Sequence, residues 1–286
     1  MSLLSEVTFK ADIKPPRLVI YGKSKVGKTT FSAGIPGVVL LPAEEGEGIL
    51  DVPRLPRPET WEDVLSTVAA LLTEEHDYKA LCIDTIDSVE LLLWQAVCRD
   101  QSTDKRTYTS VEDFGYGKGY VYADPYWTRL LKGLDMLRAK RRMVTVLIAH
   151  ADTKTVNDPV HGAYDVIQTN LHKRANALLH AWADVIGYAE IERHVVTKGD
   201  KSKGQRETDV ARTTGRRILN LEDAGGFIGG NRYGLPPKIE LSWPALRAEI
   251  GKSIAAKQAP APEPAPAPAP GPNGSAPIEE STNAQA

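Results

Sequence analysis

The sequence predicts an α/β fold with a mainly parallel central sheet covered by helices on both faces. Three observations carry that expectation. Leu18–Tyr21, Val38–Leu41, Ala80–Ile83 and Met143–Ala149 are short, nearly uninterrupted apolar runs, the pattern of strands buried on both sides. Segments of helical spacing lie between them, such as Trp61, Val64, Leu65, Val68, Leu71 and Leu72, and alternating strands and helices build βαβ units. The first strand also runs straight into Gly22-Lys-Ser-Lys-Val-Gly-Lys-Thr29, a full match to the strand–loop–helix pattern of a phosphate-binding loop.

Each residue type in that loop has a chemical reason. Gly22 and Gly27 permit turn geometry and a close phosphate approach that a Cβ would block. Lys23, Ser24, Lys25 and Val26 bring backbone N–H groups around one small volume, with Thr29 and Thr30 opening the next helix. Lys28 supplies positive charge for β- and γ-phosphates, and the Thr29 hydroxyl can complete a Mg²⁺ shell. ATP with Mg²⁺ is the expected ligand, since the sequence holds no guanine-reading Asn-Lys-x-Asp segment.

The remaining elements follow in order. Pro15-Pro16 leads into the first strand, and Gly34, Pro36 and Gly37 end the first helix. Thr60 reads as the N-cap of a helix with Glu62 and Asp63 in its first turn. The strand Ala80–Ile83 ends in Asp84, and Val89–Val97 reads as a helix with Asp87 near its start. From Arg99 to Tyr126 periodicity lapses into a long loop whose aromatic, glycine-rich part is Phe114–Tyr122. A helix is expected over Tyr126–Ala139, then a central strand ending at His150 and a second loop over Ala151–Gln168. A helix holding His172 and Trp182 precedes a strand over Ala183–Ala189. Residues 190–217 read as two strands around a Gly/Lys turn at Lys198–Gly204, and Trp243–Ile250 as a short helix.

Composition bounds the class. The chain has 286 residues, 42% hydrophobic and 25% charged, as soluble globular proteins do. A formal net charge of -2 excludes a global basic field, so nucleic acid must be met by local patches. Cys82 and Cys98 sit in apolar patterns without metal-site spacing, and no run is long enough to span a membrane; a cytoplasmic protein is expected. Residues 1–257 read as one globular unit. Residues 258–286 repeat Pro-Ala and contain no Lys or Arg, the composition of an extended tail and a candidate contact for a replication or recombination partner.

Catalysis needs more than phosphate binding. Asp84, at the end of a strand expected beside the phosphate-loop strand, is the candidate magnesium carboxylate together with Thr29. Glu44 and Glu45 end another strand expected next to the first, where a carboxylate can position water. His150 is placed to contact the γ-phosphate or its water and to pass that contact to the following loop. Lys198, Lys201, Lys203, Arg206 and Arg212 gather phosphate-seeking charge in one hairpin, and Tyr116, Tyr120 and Tyr122 of the 114–122 loop offer stacking surfaces for single-stranded DNA.

These motifs, in this order, resemble phage-encoded RecA-like P-loop ATPases of an AAA-type domain family. The residues that carry the resemblance are Ile20-Tyr-Gly with Gly27-Lys-Thr-Thr-Phe31, Leu81–Ser88, Phe114–Tyr120, Leu147-Ile-Ala-His150 and Asn231–Pro236. It implies a three-layer RecA-like fold, with Gly22–Thr29 as Walker A and Asp84 as Walker B. Glu44 or Glu45 takes the catalytic-glutamate position, His150 the γ-phosphate sensor, and Arg232 reaches a neighbour's nucleotide as an arginine finger. The second strand lacks the leading Asp of the usual Asp-x-Glu, so both glutamates stay candidates. The resemblance further implies DNA-stimulated ATP hydrolysis, assembly as a ring or filament, and single-strand annealing during phage recombination inside a bacterial host. A helicase-loader or packaging-type ATPase and a nucleotide-gated DNA-binding scaffold are the alternatives.

Overall fold

The computed structural model describes residues 12–44, 50–160, 162–198 and 208–258. The phosphate-loop strand β1 (Arg17–Gly22) leads to α1 (Lys28–Ala33), β2 (Val38–Pro42), α2 (Trp61–Thr73), β3 (Ala80–Asp84) and α3 (Ile86–Gln101). Then come α4 (Lys118–Met136), β4 (Val144–Asp158), β5 (Gly162–Thr169), α5 (Lys173–Trp182), β6 (Val185–Lys198) and β7 (Thr208–Asn220). Two short strands, β8 (Gly230–Asn231) and β9 (Lys238–Glu240), precede α6 (Trp243–Gln258). The sheet runs β2-β3-β4-β1-β6-β7-β9, with β5 beside β4 and β8 beside β6. Its first five strands are parallel, and β7 and β9 extend it antiparallel.

Strand alternation sends each apolar run to two cores. Leu18 and Ile20 pack with Phe31 of α1 and with Trp243, Leu246 and Ile250 of α6. Val19 and Tyr21 face the opposite core, built with Trp61, Val89, Trp127 and Leu179 from α2 to α5. All four β1 residues have no exposed surface, which is why that strand reads as a continuous apolar run; each such side chain contributes about 2 kcal/mol of burial. At the start of α2, Thr60 Oγ1 accepts from the Asp63 N–H at 3.2 Å, and the Asp63 carboxylate accepts from the Thr60 N–H at 2.8 Å, a reciprocal cap.

Four expectations need correction. First, β4 lies between β1 and β3, so the strand of Asp84 is not adjacent to the phosphate-loop strand. The strand of Glu44 is farther still, at the sheet edge beyond β3. A strand arriving later in the chain has inserted between earlier ones, which local sequence does not report. Second, residues 118–122 are helical: α4 begins at Lys118 and passes through Pro125, which removes a single N–H from the ladder. The glycine-rich stretch before it is a tight helix entry. A Cβ on Gly119 would stand 2.2 Å from the Val111 carbonyl oxygen, so the glycine lets α4 close onto the 3-10 turn Val111–Phe114.

Third, β4 does not end at His150. It continues to Asp158 and pairs with β5 as an antiparallel ribbon, Ala151 opposite Thr169 and Asp158 opposite Gly162. Its polar surface disguised it as a loop, although the Thr155 hydroxyl donates to its cross-strand partner Asp165 at 2.7 Å. Fourth, α6 runs to Gln258, well past Ile250. Of the expected tail, residues 258–286, Gln258 ends α6 and the remainder lies outside the described residues.

The amino end of the sheet is tied by one carboxylate. Asp184, 5% exposed, accepts from Arg17 Nε at 3.2 Å and Nη2 at 2.9 Å, from Arg138 Nη2 at 2.9 Å and from Arg232 Nη1 at 3.3 Å. Burial pushes the Asp184 carboxyl up, but the Arg17 hydrogen bonds and the surrounding guanidinium charge outweigh it and hold the group below the usual carboxylate range. Asp184→Ala leaves those guanidiniums clustered without a counter-charge. Urea unfolding should show a loss of about 3–5 kcal/mol; a loss under about 1 kcal/mol would contradict the assignment of this cluster as the tie.

Candidate functional site

The register of the parallel strands brings their carboxyl ends to one line. Gly22 stands opposite His150, Asp84 opposite Ile148, and Pro42 opposite Asp84. The loop after β1 therefore opens beside the ends of β3 and β4, the usual location of a ligand crevice in an open α/β sheet.

Two glycines in that loop are required for different reasons. A Cβ on Gly22 would lie 2.3 Å from the Ala189 carbonyl oxygen, so the close approach of β6 excludes any side chain there. Gly27 has φ +108°, in the region that favours glycine. Lys28 is 6% exposed and arches back over the loop, its Nζ donating to the carbonyls of Gly22 at 2.9 Å and Lys23 at 3.1 Å. Burial lowers the Lys28 pKa, opposed by the carboxylates of Asp84, Asp87 and Glu44.

Beside it, Thr29 Oγ1 donates to Asp84 Oδ2 at 2.7 Å. Burial pushes the Asp84 carboxyl up in spite of that hydrogen bond, and Glu44 adds to the push. The Asp84–Thr85 peptide is cis. A hydroxyl and a carboxylate side by side are hard oxygen donors suited to Mg²⁺, which keeps several waters and binds with substrate phosphates. Among the described residues no group of three or more His, Cys, Asp or Glu can hold a metal, so a cation at Thr29 and Asp84 needs phosphate and water to complete its shell.

His150 is held from below and faces a carboxylate above. Asp87 of α3 accepts from the His150 backbone N–H at 3.1 Å, and its other oxygen lies 2.7 Å from Nδ1. On the far side of the ring, Nε2 is 3.7 Å from Glu44 Oε1, and the Thr85 hydroxyl is 3.4 Å from Glu44 Oε2. The Asp87 hydrogen bond raises the His150 pKa against the effect of burial. Burial pushes Asp87 up, but its bonds to His150 outweigh that and leave it below the usual carboxylate range. The ring is thus fixed with one nitrogen on Asp87 and the other directed at Glu44.

The structure places Lys28, Thr29, Asp84, Glu44 and His150 around one mouth. It does not bring Arg232 there: that side chain bonds Asp184 and the Ala181 carbonyl at the opposite end of the sheet, so any role at a nucleotide requires a second chain. Glu45 lies outside the described residues, as do Lys201, Lys203 and Arg206; Lys198 ends β6, and Arg212 is exposed on β7. Tyr120 does not stand free in a loop, because its ring stacks on His172 at 3.7 Å.

Two residues join the site that sequence reasoning passed over. Asp87 reads as an ordinary helix-start acid; its spacing of three from Asp84, at the end of a strand, was the available signal. Arg217 of β7 gave none. Its Nη1 would be 3.0 Å from a Cβ on Gly27, and its guanidinium makes no hydrogen bond or ion pair among the described residues. Next to it a cavity of about 490 Å³ is lined by Thr30, Phe31, Gly215, Arg216 and Trp243.

Residues 14–233 match the AAA domain family. Among solved structures the chain is similar to the RadB recombinase, with a TM-score of 0.40 and 13% identity over 73% of this chain and 81% of that one. Among curated proteins none matches. The family match and the strand order describe a RecA-like P-loop NTPase fold, with a mainly parallel sheet flanked by helices. No helix among the described residues is long and apolar enough to cross a membrane.

The His150–Asp87 pair sets a pH dependence whose sign follows from the two shifts. A raised His150 pKa gives stabilisation that is fully present below about pH 6.5 and lost as pH climbs through the raised value. The lowered Asp87 pKa gives stabilisation lost as pH falls below about 3.8. His150→Gln keeps a hydrogen-bond donor without the charge. Relative to wild type it should lose about 1–2 kcal/mol near pH 5.5 and almost nothing near pH 9, measured by denaturant unfolding; an equal loss at both pH values would refute the charged pair.

Proposed function

The chain belongs to the AAA domain family, and on that premise we propose that it is an ATPase whose cycle acts on single-stranded DNA. ATP binds with Mg²⁺ at the Gly22–Thr29 loop and is hydrolysed to ADP and phosphate. The observation that carries this reading is the convergence on one mouth of buried Lys28, the Thr29–Asp84 contact at 2.7 Å and the Glu44–His150–Asp87 row. Lys28 and the loop N–H groups hold the β- and γ-phosphates in place. Thr29 and Asp84 would hold Mg²⁺, which would supply positive charge against the charge developing on the phosphate oxygens. Glu44, open to the mouth, orients the attacking water and takes its proton.

His150 senses the outcome. Its Nε2 faces Glu44, so the arrival or loss of the γ-phosphate changes what that nitrogen bonds, while Asp87 prevents the ring from turning away. Arg217 lies against the outer side of the loop and supplies a second cation to the nucleotide; the cavity beyond it accommodates the nucleoside. The DNA side of the proposal draws on the basic β6–β7 hairpin with Arg212 and on the resemblance to phage annealing recombinases. Assembly as a ring or filament, with Arg232 of one copy reaching another, belongs to the same reading.

Two variants and one activator test it. Lys28→Ala should abolish ATP retention in equilibrium binding. Glu44→Gln should bind ATP as wild type yet lose about 10²-fold or more in turnover; unchanged turnover would remove Glu44 and leave Glu45. Single-stranded DNA should stimulate hydrolysis. Equal rates with single-stranded, duplex and no DNA, together with no DNA binding in ATP, would end the recombination role and leave a DNA-independent ATPase.

A further inference from the structure

One face of α3 lines a cavity beside the site. Asp87 at its start holds His150. Asp87 also lines a cavity of about 370 Å³ onto which Glu90, one turn on, and then Trp94 open, with Lys154, Asn170 and His172 on its other walls. Glu90 is 3% exposed. Its Oε2 accepts from the His172 backbone N–H at 3.0 Å, but Oε1 is buried with no partner among the described residues. An unpaired buried carboxyl oxygen costs on the order of 1–3 kcal/mol or more.

The walls around that oxygen have a specific chemistry. The Trp94 indole and the His172 imidazole, the latter stacked on Tyr120 at 3.7 Å and 7°, are flat aromatic surfaces. Asn170 is exposed, with its side-chain amide unbonded among the described residues. Lys154 stands at the rim, its Nζ donating to the Leu171 carbonyl at 2.9 Å. We propose that this cavity receives one unpaired base of a single-stranded nucleic acid, with Glu90 and Asn170 reading its edge and Lys154 meeting the adjoining phosphate. The inference rests on the nucleic-acid reading above and names the place where sequence is sensed.

Charge separates a base from the other obvious occupant, a lysine or arginine side chain of another protein. Lys154 is near enough to lower the Glu90 pKa electrostatically, so a second cation in the same cavity would meet like charge. A nucleotide divides the two: its base goes to Glu90 and its phosphate to Lys154. Burial brings the Glu90 carboxyl up to about 7, so at neutral pH it can donate to a base edge as well as accept from one. The ionised fraction of Glu90 can only accept, so it is matched by a base with an exocyclic amino donor. Cytosine, adenine and guanine offer one; thymine and uracil do not.

Fluorescence anisotropy with labelled 20-mers of dC and dT tests this in the full chain with ATP. ATP retention is measured separately with a fluorescent analogue. Wild type should bind dC about tenfold more tightly than dT, and Glu90→Gln, an isosteric change, should reduce that preference at least threefold while retaining ATP. Asn170→Ala, at an exposed position, should reduce it likewise. Lys154→Ala should weaken both oligonucleotides equally and flatten the salt dependence. Oligonucleotide binding with no preference in wild type, or a preference untouched by Glu90→Gln and Asn170→Ala, overturns the base pocket while leaving the DNA-acting ATPase intact. Absence of any oligonucleotide binding in a chain that retains ATP overturns both. If Glu90→Gln instead weakens self-association and spares base preference, the carboxyl serves a cationic side chain and the proposal fails.

Discussion

The hydrogen-bonded register of β4 against its two parallel neighbours sets the distances at the site. On one side it pairs His150 with Gly22, and on the other it pairs Ile148 with Asp84. The Gly22–Thr29 loop and the Asp84 carboxylate belong to strands that never touch, so β4 is the spacer between them. A slip of one residue would invert every side chain of the strand, sending Ile148 and Val146 out of the core they share with Phe31 and Trp243. Packing on both faces therefore enforces the alignment, and the Thr29–Asp84 contact follows from it.

Charge is distributed unevenly between the two ends of this sheet. At the amino end one buried carboxylate collects several guanidiniums, and every partner is held within the chain. At the carboxyl end the balance is left open. Among the described residues, Lys28 is buried with only carbonyl oxygens as direct partners, and Asp84 is buried with a single hydroxyl. Burial pushes both toward their neutral forms, so a ligand that restores their charge recovers a desolvation cost already incurred in folding. A highly charged triphosphate with a divalent cation does that for both groups together.

The parts of the molecule legible in the sequence are those set by neighbours along the chain. The Gly22–Thr29 loop, the strand ending at Asp84 and the Thr60–Asp63 cap each depend on a few consecutive residues, and each occurs where their pattern places it. What escaped is set by chain segments far apart in sequence. The insertion of β4 between β1 and β3 leaves no local trace, nor does the passage of Arg217 across Gly27 from a strand nearly two hundred residues later. Polar composition hid the outer half of β4 because its faces are solvated, and alternation weakens as a signal where neither side is buried. The first turns of α4 escaped because periodicity lapses there; the helix passes through Pro125 with Ala123 and Trp127 packed in the core on either side.

The outer half of β4 and all of β5 form a two-stranded arm rooted at the nucleotide mouth. Its root is tied at several points: the Asn170 N–H donates to the His150 carbonyl at 2.8 Å, the Ile167 N–H donates to the Gly226 carbonyl at 2.9 Å, and the Tyr21 hydroxyl donates to the Ile167 carbonyl at 3.0 Å. Beyond Ile167 the pairs from Lys154–Val166 to Asp158–Gly162 extend about 16 Å, so a tilt of roughly 10° at that point sweeps the far end through about 3 Å. The anchored stretch next to the histidine that faces Glu44 is thus the base of a lever, and displacements too small to alter the sheet are magnified at its tip.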